Sequence, residues 1–121
     1  MGVRKAQDLK ERTFAFSLRV LRFAESLPNS KAGVTIANQV IRSGTSVGAN
    51  YRAAKRAKSN RDFIAKMGIV EEECDETIYW IELAVAHGCV DAGKVDSLLA
   101  EANELLAITV ASIRTAKGRK V

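Results

Sequence analysis

Residues 9–27 read LKERTFAFSLRVLRFAESL, and within them Leu9, Thr13, Phe16, Val20, Phe23 and Leu27 recur in alternating steps of four and three. That spacing lines one face of an α-helix and does not fit the two-residue period of a strand. Asp8 offers an N-cap ahead of the stripe, and Pro28 ends it, with Asn29 and Ser30 completing a turn. The same period returns three more times downstream. From about residue 33 to 57, Ala37, Val40, Ile41, Gly44, Val47, Gly48, Tyr51 and Ala54 share a face. Gly44 and Gly48 each weaken a helix, so their use is to let a neighbouring backbone come close. Ser59 caps a third helix, with Asp62 as a short variant of the capping-box acid. Its inner face is Phe63, Met67, Val70, Cys74, Thr77, Ile81 and Ala84, and Gly88 suits the position just past His87. Asp91 opens a fourth helix, with Val95, Leu99, Ala102, Leu106, Thr109 or Val110, and Ile113 turned inward.

Short links force neighbouring helices to run antiparallel, so the expected fold is all-α, an up-down-up-down four-helix bundle. The helices fall at about 8–27, 33–57, 60–87 and 92–117 of a single domain spanning 1–121. With 47% hydrophobic and 27% charged residues the composition is that of an ordinary globular protein, and 8 glycines and 1 proline are few for an all-β chain of 121 residues. No apolar run approaches the ~18 residues needed to span a bilayer, and the first dozen residues are too polar for a signal segment. The expectation is a cytoplasmic protein with no membrane partner. Cys74 and Cys89 form no C-x-x-C pair and read as two neutral thiols.

The up-down topology gathers the chain start, the turn between the second and third helices, and the tail at one end. That end is basic. It collects Arg4, Lys5, Lys10 and Arg12, then Arg52, Lys55, Arg56, Lys58, Arg61 and Lys66, then Arg114, Lys117, Arg119 and Lys120. Only Asp8, Glu11 and Asp62 oppose them there, and the whole chain carries +5. Clustered Lys and Arg bind phosphates by releasing counterions, without reading sequence, so RNA or DNA is the leading expected partner. Arg52, Lys55, Arg56, Lys58 and Arg61 are the central candidate contacts; the alternative is a scaffold or adaptor whose basic end meets an acidic protein. Few aromatics lie near this end and Tyr51 is expected in the core, which argues against base stacking.

Catalytic chemistry finds little support. The acidic run Glu71-Glu72-Glu73-Cys74-Asp75-Glu76 invites comparison with carboxylate metal sites in bundles, but those need Glu-x-x-His, and Ala84 stands three residues before the single His87. No histidine is placed to activate Ser43, Ser46 or Cys74, and Gly44 and Gly48 lie inside a helical pattern, not in a phosphate loop. The expectation is a non-enzyme with no catalytic residue, no metal and no cofactor.

A second set of apolar residues points away from the core. Phe14, Leu18 and Leu21 fall opposite the first helix's inner stripe, and Ile69, Trp80 and Leu83 share an outward stripe of the third helix with Glu73 and Glu76. A monomer seldom exposes two such stripes, so both are expected to be contacts of a homo-oligomer. Because they lie on different helices, the contact is expected to be head-to-tail, which generates a ring where it closes, with Arg42, Arg52 and Arg56 expected to face Glu73 and Glu76 across the seam.

The stretch QVIRSGTSVGANY at residues 39–51, followed by Asp62-Phe63 and Glu76-Thr77-Ile78-Tyr79-Trp80, resembles the four-helix bundle family named after the 23S rRNA intervening-sequence proteins. The likeness covers about residues 8–115. Where many members have an acidic residue and glycine after the asparagine, this chain has Arg52-Ala53-Ala54. The resemblance implies an up-and-down bundle, commonly assembled as a cyclic pentamer, with no known enzymatic activity. Some members are encoded inside ribosomal RNA insertions, and a related protein is an accessory factor of diversity-generating retroelements, where a basic surface is linked to nucleic acid and a reverse transcriptase.

Overall fold

Helix-forming residues with no breaker among them carry the first helix back beyond Asp8, so it begins at Gly2 and not at an Asp8 cap. The structure is a computed structural model that describes residues 2–119, with side chains from Leu9 to Arg119. The side chains of Arg4, Lys5, Asp8 and Lys120 lie outside the described residues. Four helices follow one another: α1 (Gly2–Glu25), α2 (Lys31–Lys55), α3 (Asn60–His87) and α4 (Ala92–Lys117). They form an all-α up-down bundle in which α2 packs on α1 and α3, and α3 packs on α4. The α1 and α4 backbones meet at fewer places, and α1 faces α3 across a diagonal without close backbone approach. None of the described helices is long and apolar enough to cross a membrane.

Local chemistry sets the helix ends. After Glu25 the Ser26 and Leu27 N–H groups turn to Phe23 O at 3.1 Å and Ala24 O at 3.2 Å, a tighter closing turn that stops α1 two residues before Leu27. Ser30 caps α2, its Oγ accepting from the Gly33 N–H at 3.1 Å, so that helix starts at Lys31. Ser59 does the same for α3 through the Asp62 N–H at 3.0 Å, and Asp62 accepts in return from the Lys58 N–H at 3.2 Å. Gly88 ends α3 at φ +85°, a left-handed position that suits glycine. Asp91 stands at the N-cap of α4, but its carboxylate accepts no capping hydrogen bond.

The inner stripes of α1 and α3 are buried nearly as the periodicity predicts, with Phe16, Val20, Met67, Cys74 and Ile81 fully enclosed and Leu27 and Phe63 at the margin. In α4 Val95, Ala102, Thr109 and Ile113 are buried as expected, but Leu98 and Leu105 take the buried places expected of Leu99 and Leu106, which are shoulders packed against the core. Both pairs satisfy the seven-residue repeat, so spacing alone cannot choose between them. Ser43 is an unexpected core residue. Its hydroxyl lies 2.9 Å from that of Thr77, which is also 2.7 Å from Glu73 O, so the polar pair is satisfied between α2 and α3.

Gly44 and Gly48 turn towards α1. A Cβ at Gly44 would stand 2.5 Å from Val20 Cγ1, and one at Gly48 would stand 3.2 Å from Thr13 O. The two backbones are therefore as close as they can be only because these side chains are missing. Gly68 in α3 has nothing within 4 Å of such a position. Gly44→Ala should lower stability by about 1–2 kcal/mol, since overpacking beside the enclosed Val20 outweighs the ~1 kcal/mol gained in helix propensity. Gly68→Ala should raise stability by up to about 1 kcal/mol. Urea unfolding of both variants checks the pair, and equal effects would show that α1 does not press on Gly44.

Candidate nucleic-acid interface

The last turn of α2, the link to α3 and the first turn of α3 present Arg52, Lys55, Arg56, Lys58 and Arg61, all five exposed. None of the five side chains forms an ion pair among the described residues. The tail of α4 comes to the same place, because Asn60 at the start of α3 donates to Ala116 O at 2.8 Å. Arg114, Lys117 and Arg119 are exposed beside them. The basic end drawn from topology is therefore assembled from at least two chain segments held together by packing and this hydrogen bond.

Not every cation counted there is available. Arg12 points across the α1–α4 seam, donating to Glu101 at 2.7 and 3.0 Å and to Glu104 at 2.9 Å. The two carboxylates hold its guanidinium well above the ordinary arginine range. Lys66 pairs with Asp62 one turn away at 2.7 Å, and this hydrogen bond, then that from the Lys58 N–H, holds the Asp62 carboxyl below the usual range. A seam that α1 and α4 leave open to solvent is thus closed by side chains, helped by Arg19 donating to Ser97 Oγ at 2.8 Å.

The residues expected at a subunit seam divide. Phe14, Leu18 and Ile69 are exposed, Leu21 is half-buried, and Trp80 and Leu83 are partly buried against the core. Trp80 and Leu83 also line a recess of 380 Å³ with Ile36, Thr35, Lys31 and His87 where α2 starts and α3 ends. Arg42 does not need a second subunit to meet acids. It pairs within the chain with Glu73 at 3.3 Å and with Glu76, whose Oε2 also accepts from Trp80 Nε1 at 3.0 Å. The expectation that Arg42 reaches Glu73 and Glu76 across a boundary is corrected by this α2–α3 contact, which sequence alone hides because the partners are more than thirty residues apart.

A groove of about 670 Å³ runs between α1 and α2 on the flank of the basic end, lined among the described residues by Lys10, Glu11, Phe14 and Arg52. Elsewhere the titratable groups look structural. Burial, then the charges of Asp75, Glu71 and Glu73, pushes the Cys74 thiol up to about 12, which leaves it protonated and poorly nucleophilic. Among the described residues no three of His, Cys, Asp and Glu come together as metal ligands.

Residues 5–111 match the family model described as 23S rRNA-intervening sequence protein. Among solved structures, a crystal structure at 1.70 Å resolution of a protein with unknown function from the S23 ribosomal protein family of Bacteroides thetaiotaomicron is similar, with 31% identity and a TM-score of 0.84. The similarity covers 91% of this chain and 98% of that one. No curated protein sequence matches.

Trp80 is the chain's one tryptophan and reports on Glu76. The Trp80 hydrogen bond and then the Arg42 pair lower the Glu76 pKa below the 4.5 of an unperturbed glutamate. A lowered folded pKa means that the contact stabilises the fold above the unfolded value and is lost as pH falls through the folded one. Acid titration of tryptophan emission should show a step with its midpoint below 4.5 that Glu76→Gln removes. A midpoint at or above 4.5 would contradict the pairing.

Proposed function

This chain belongs to the 23S rRNA-intervening sequence protein family, and we propose that it acts as a non-enzymatic, homo-oligomeric, cytoplasmic bundle whose basic end binds RNA or DNA through phosphates. The observation that carries this reading is the set Arg52, Lys55, Arg56, Lys58 and Arg61, exposed together and, among the described residues, forming no side-chain ion pair, while Arg12, Arg42 and Lys66 are paired within the fold. Cations left unpaired at one end are those with a phosphate's worth of attraction to gain. Arg114 and Lys117 from α4 extend the same surface.

Assembly is read from the remaining apolar surface. Leu18 on α1 and Ile69 on α3 are both exposed, and these helices sit on a diagonal of the bundle. Contacts on opposite flanks suit a head-to-tail ring, and the family resemblance sets its expected size at five subunits. A ring would repeat the basic end around one axis and multiply weak phosphate contacts by avidity.

Fluorescence anisotropy with labelled RNA and DNA duplexes tests the phosphate reading. Affinity should depend little on sequence and fall steeply with salt, with a log–log slope of about −4.5 if five phosphates are neutralised on a duplex. Reversing charge at Lys55, Arg56 and Lys58 together should weaken binding and flatten that slope. No association at low salt would overturn the reading and put the acidic-protein adaptor in its place.

A further inference from the structure

We infer that the groove between α1 and α2 holds one unpaired nucleotide of the bound nucleic acid, its base stacked on Phe14 and its phosphates held by Lys10 and Arg52. The inference rests on the phosphate-binding reading and adds a ligand class to it. Phe14 is 61% exposed, more than any other large hydrophobic side chain among the described residues. Lys10 is one helical turn before it on the same face, and Arg52 stands across the groove on α2. From Arg52 the row continues through Lys55 and Arg56 to the turn, so a strand leaving the groove meets cations at each step.

The lining fits this occupant better than a protein side chain. Among the described residues the lining is mixed, one aromatic face with two cations and one carboxylate, which a purely apolar anchor from another chain would not match. A nucleotide has both parts, a π-face for Phe14 and an anion for Lys10 and Arg52. Glu11 repels a second phosphate at its side of the groove and suits the amino or imino N–H groups of a base edge. The volume of about 670 Å³ lies in the range of small-ligand clefts. Bases in a duplex keep their faces inside the stack, so the site selects strand ends, bulges and loops. One platform reads no sequence, since every base has a π-face. Aromatics are sparse at the turn itself, but Phe14 lies farther along the groove, at the level of Gly48, about two turns from the end of α2.

The test compares three labelled probes on the full chain at low salt: a short single strand, an abasic strand of equal length, and a blunt duplex. The strand with bases should bind about five- to a hundredfold more tightly than the abasic one. Phe14→Ala should remove that ratio and leave abasic and duplex binding as they were, while Phe14→Trp keeps it. A wild-type ratio of one, or a ratio unchanged in Phe14→Ala, overturns the inference and leaves phosphate binding standing. So does light scattering in which Phe14→Ala alone dissociates the assembly, because Phe14 is then a subunit contact. Failure of every probe to bind overturns the phosphate reading itself.

Discussion

The contact between α1 and α2 sets the terms for the rest of the molecule. At Gly44 the missing side chain makes room for Val20, and at Gly48 the α2 backbone comes against the Thr13 carbonyl. Such closeness fixes the level of one helix against the other, because sliding by a residue would drive a side chain into backbone. On its other side α2 meets α3 through Ser43 and Thr77, whose hydroxyl pair is satisfied only in one register. With α2 located on both sides, Lys10 and Phe14 come opposite Arg52, and the end of α2 and the start of α3 come beside the tail of α4.

The cations fall into two groups with different work. Arg12 ties α1 to α4 through Glu101 and Glu104, Arg42 ties α2 to α3 through Glu73 and Glu76, and Lys66 pairs one turn away with Asp62. The Arg12 pair spans the α1–α4 seam, where the backbones meet at few places, and all three sets of pairs are partly solvated, so their worth lies more in orientation than in stability. Among the described residues the second group, at the α2–α3 turn, forms no such ion pair and is exposed. A +5 molecule of this kind is better described by where its unpaired charge sits than by its total.

Much of this was legible in the residue order because it depends on neighbours in sequence. Ser59, Gly88 and Pro28 mark helix ends through groups a few residues away, and the stripes of α1 and α3 follow from spacing alone. The choice in α4 of Leu98 and Leu105 over Leu99 and Leu106 was not legible, since both pairs repeat with the same period and only the facing helices decide. Nor were the ion pairs between helices, because Arg12 and Glu101 are 89 residues apart. The basic cluster could be drawn from topology, but which cations stay unpaired could not. Phe14 shows the same limit: an exposed aromatic is visible in the pattern, whereas its position beside Arg52 depends on how far α1 and α2 have slid.

If the α1–α2 approach governs the fold, Gly44 and Val20 must be energetically coupled, and a double-mutant cycle measures that coupling directly. Gly44→Ala should be destabilising in the native background yet neutral or stabilising beside Val20→Ala, where the colliding methyl groups are gone and only the helix propensity of alanine remains. The expected interaction is on the order of 1–2 kcal/mol in urea unfolding. An equal loss from Gly44→Ala in both backgrounds would contradict the contact on which the account is built.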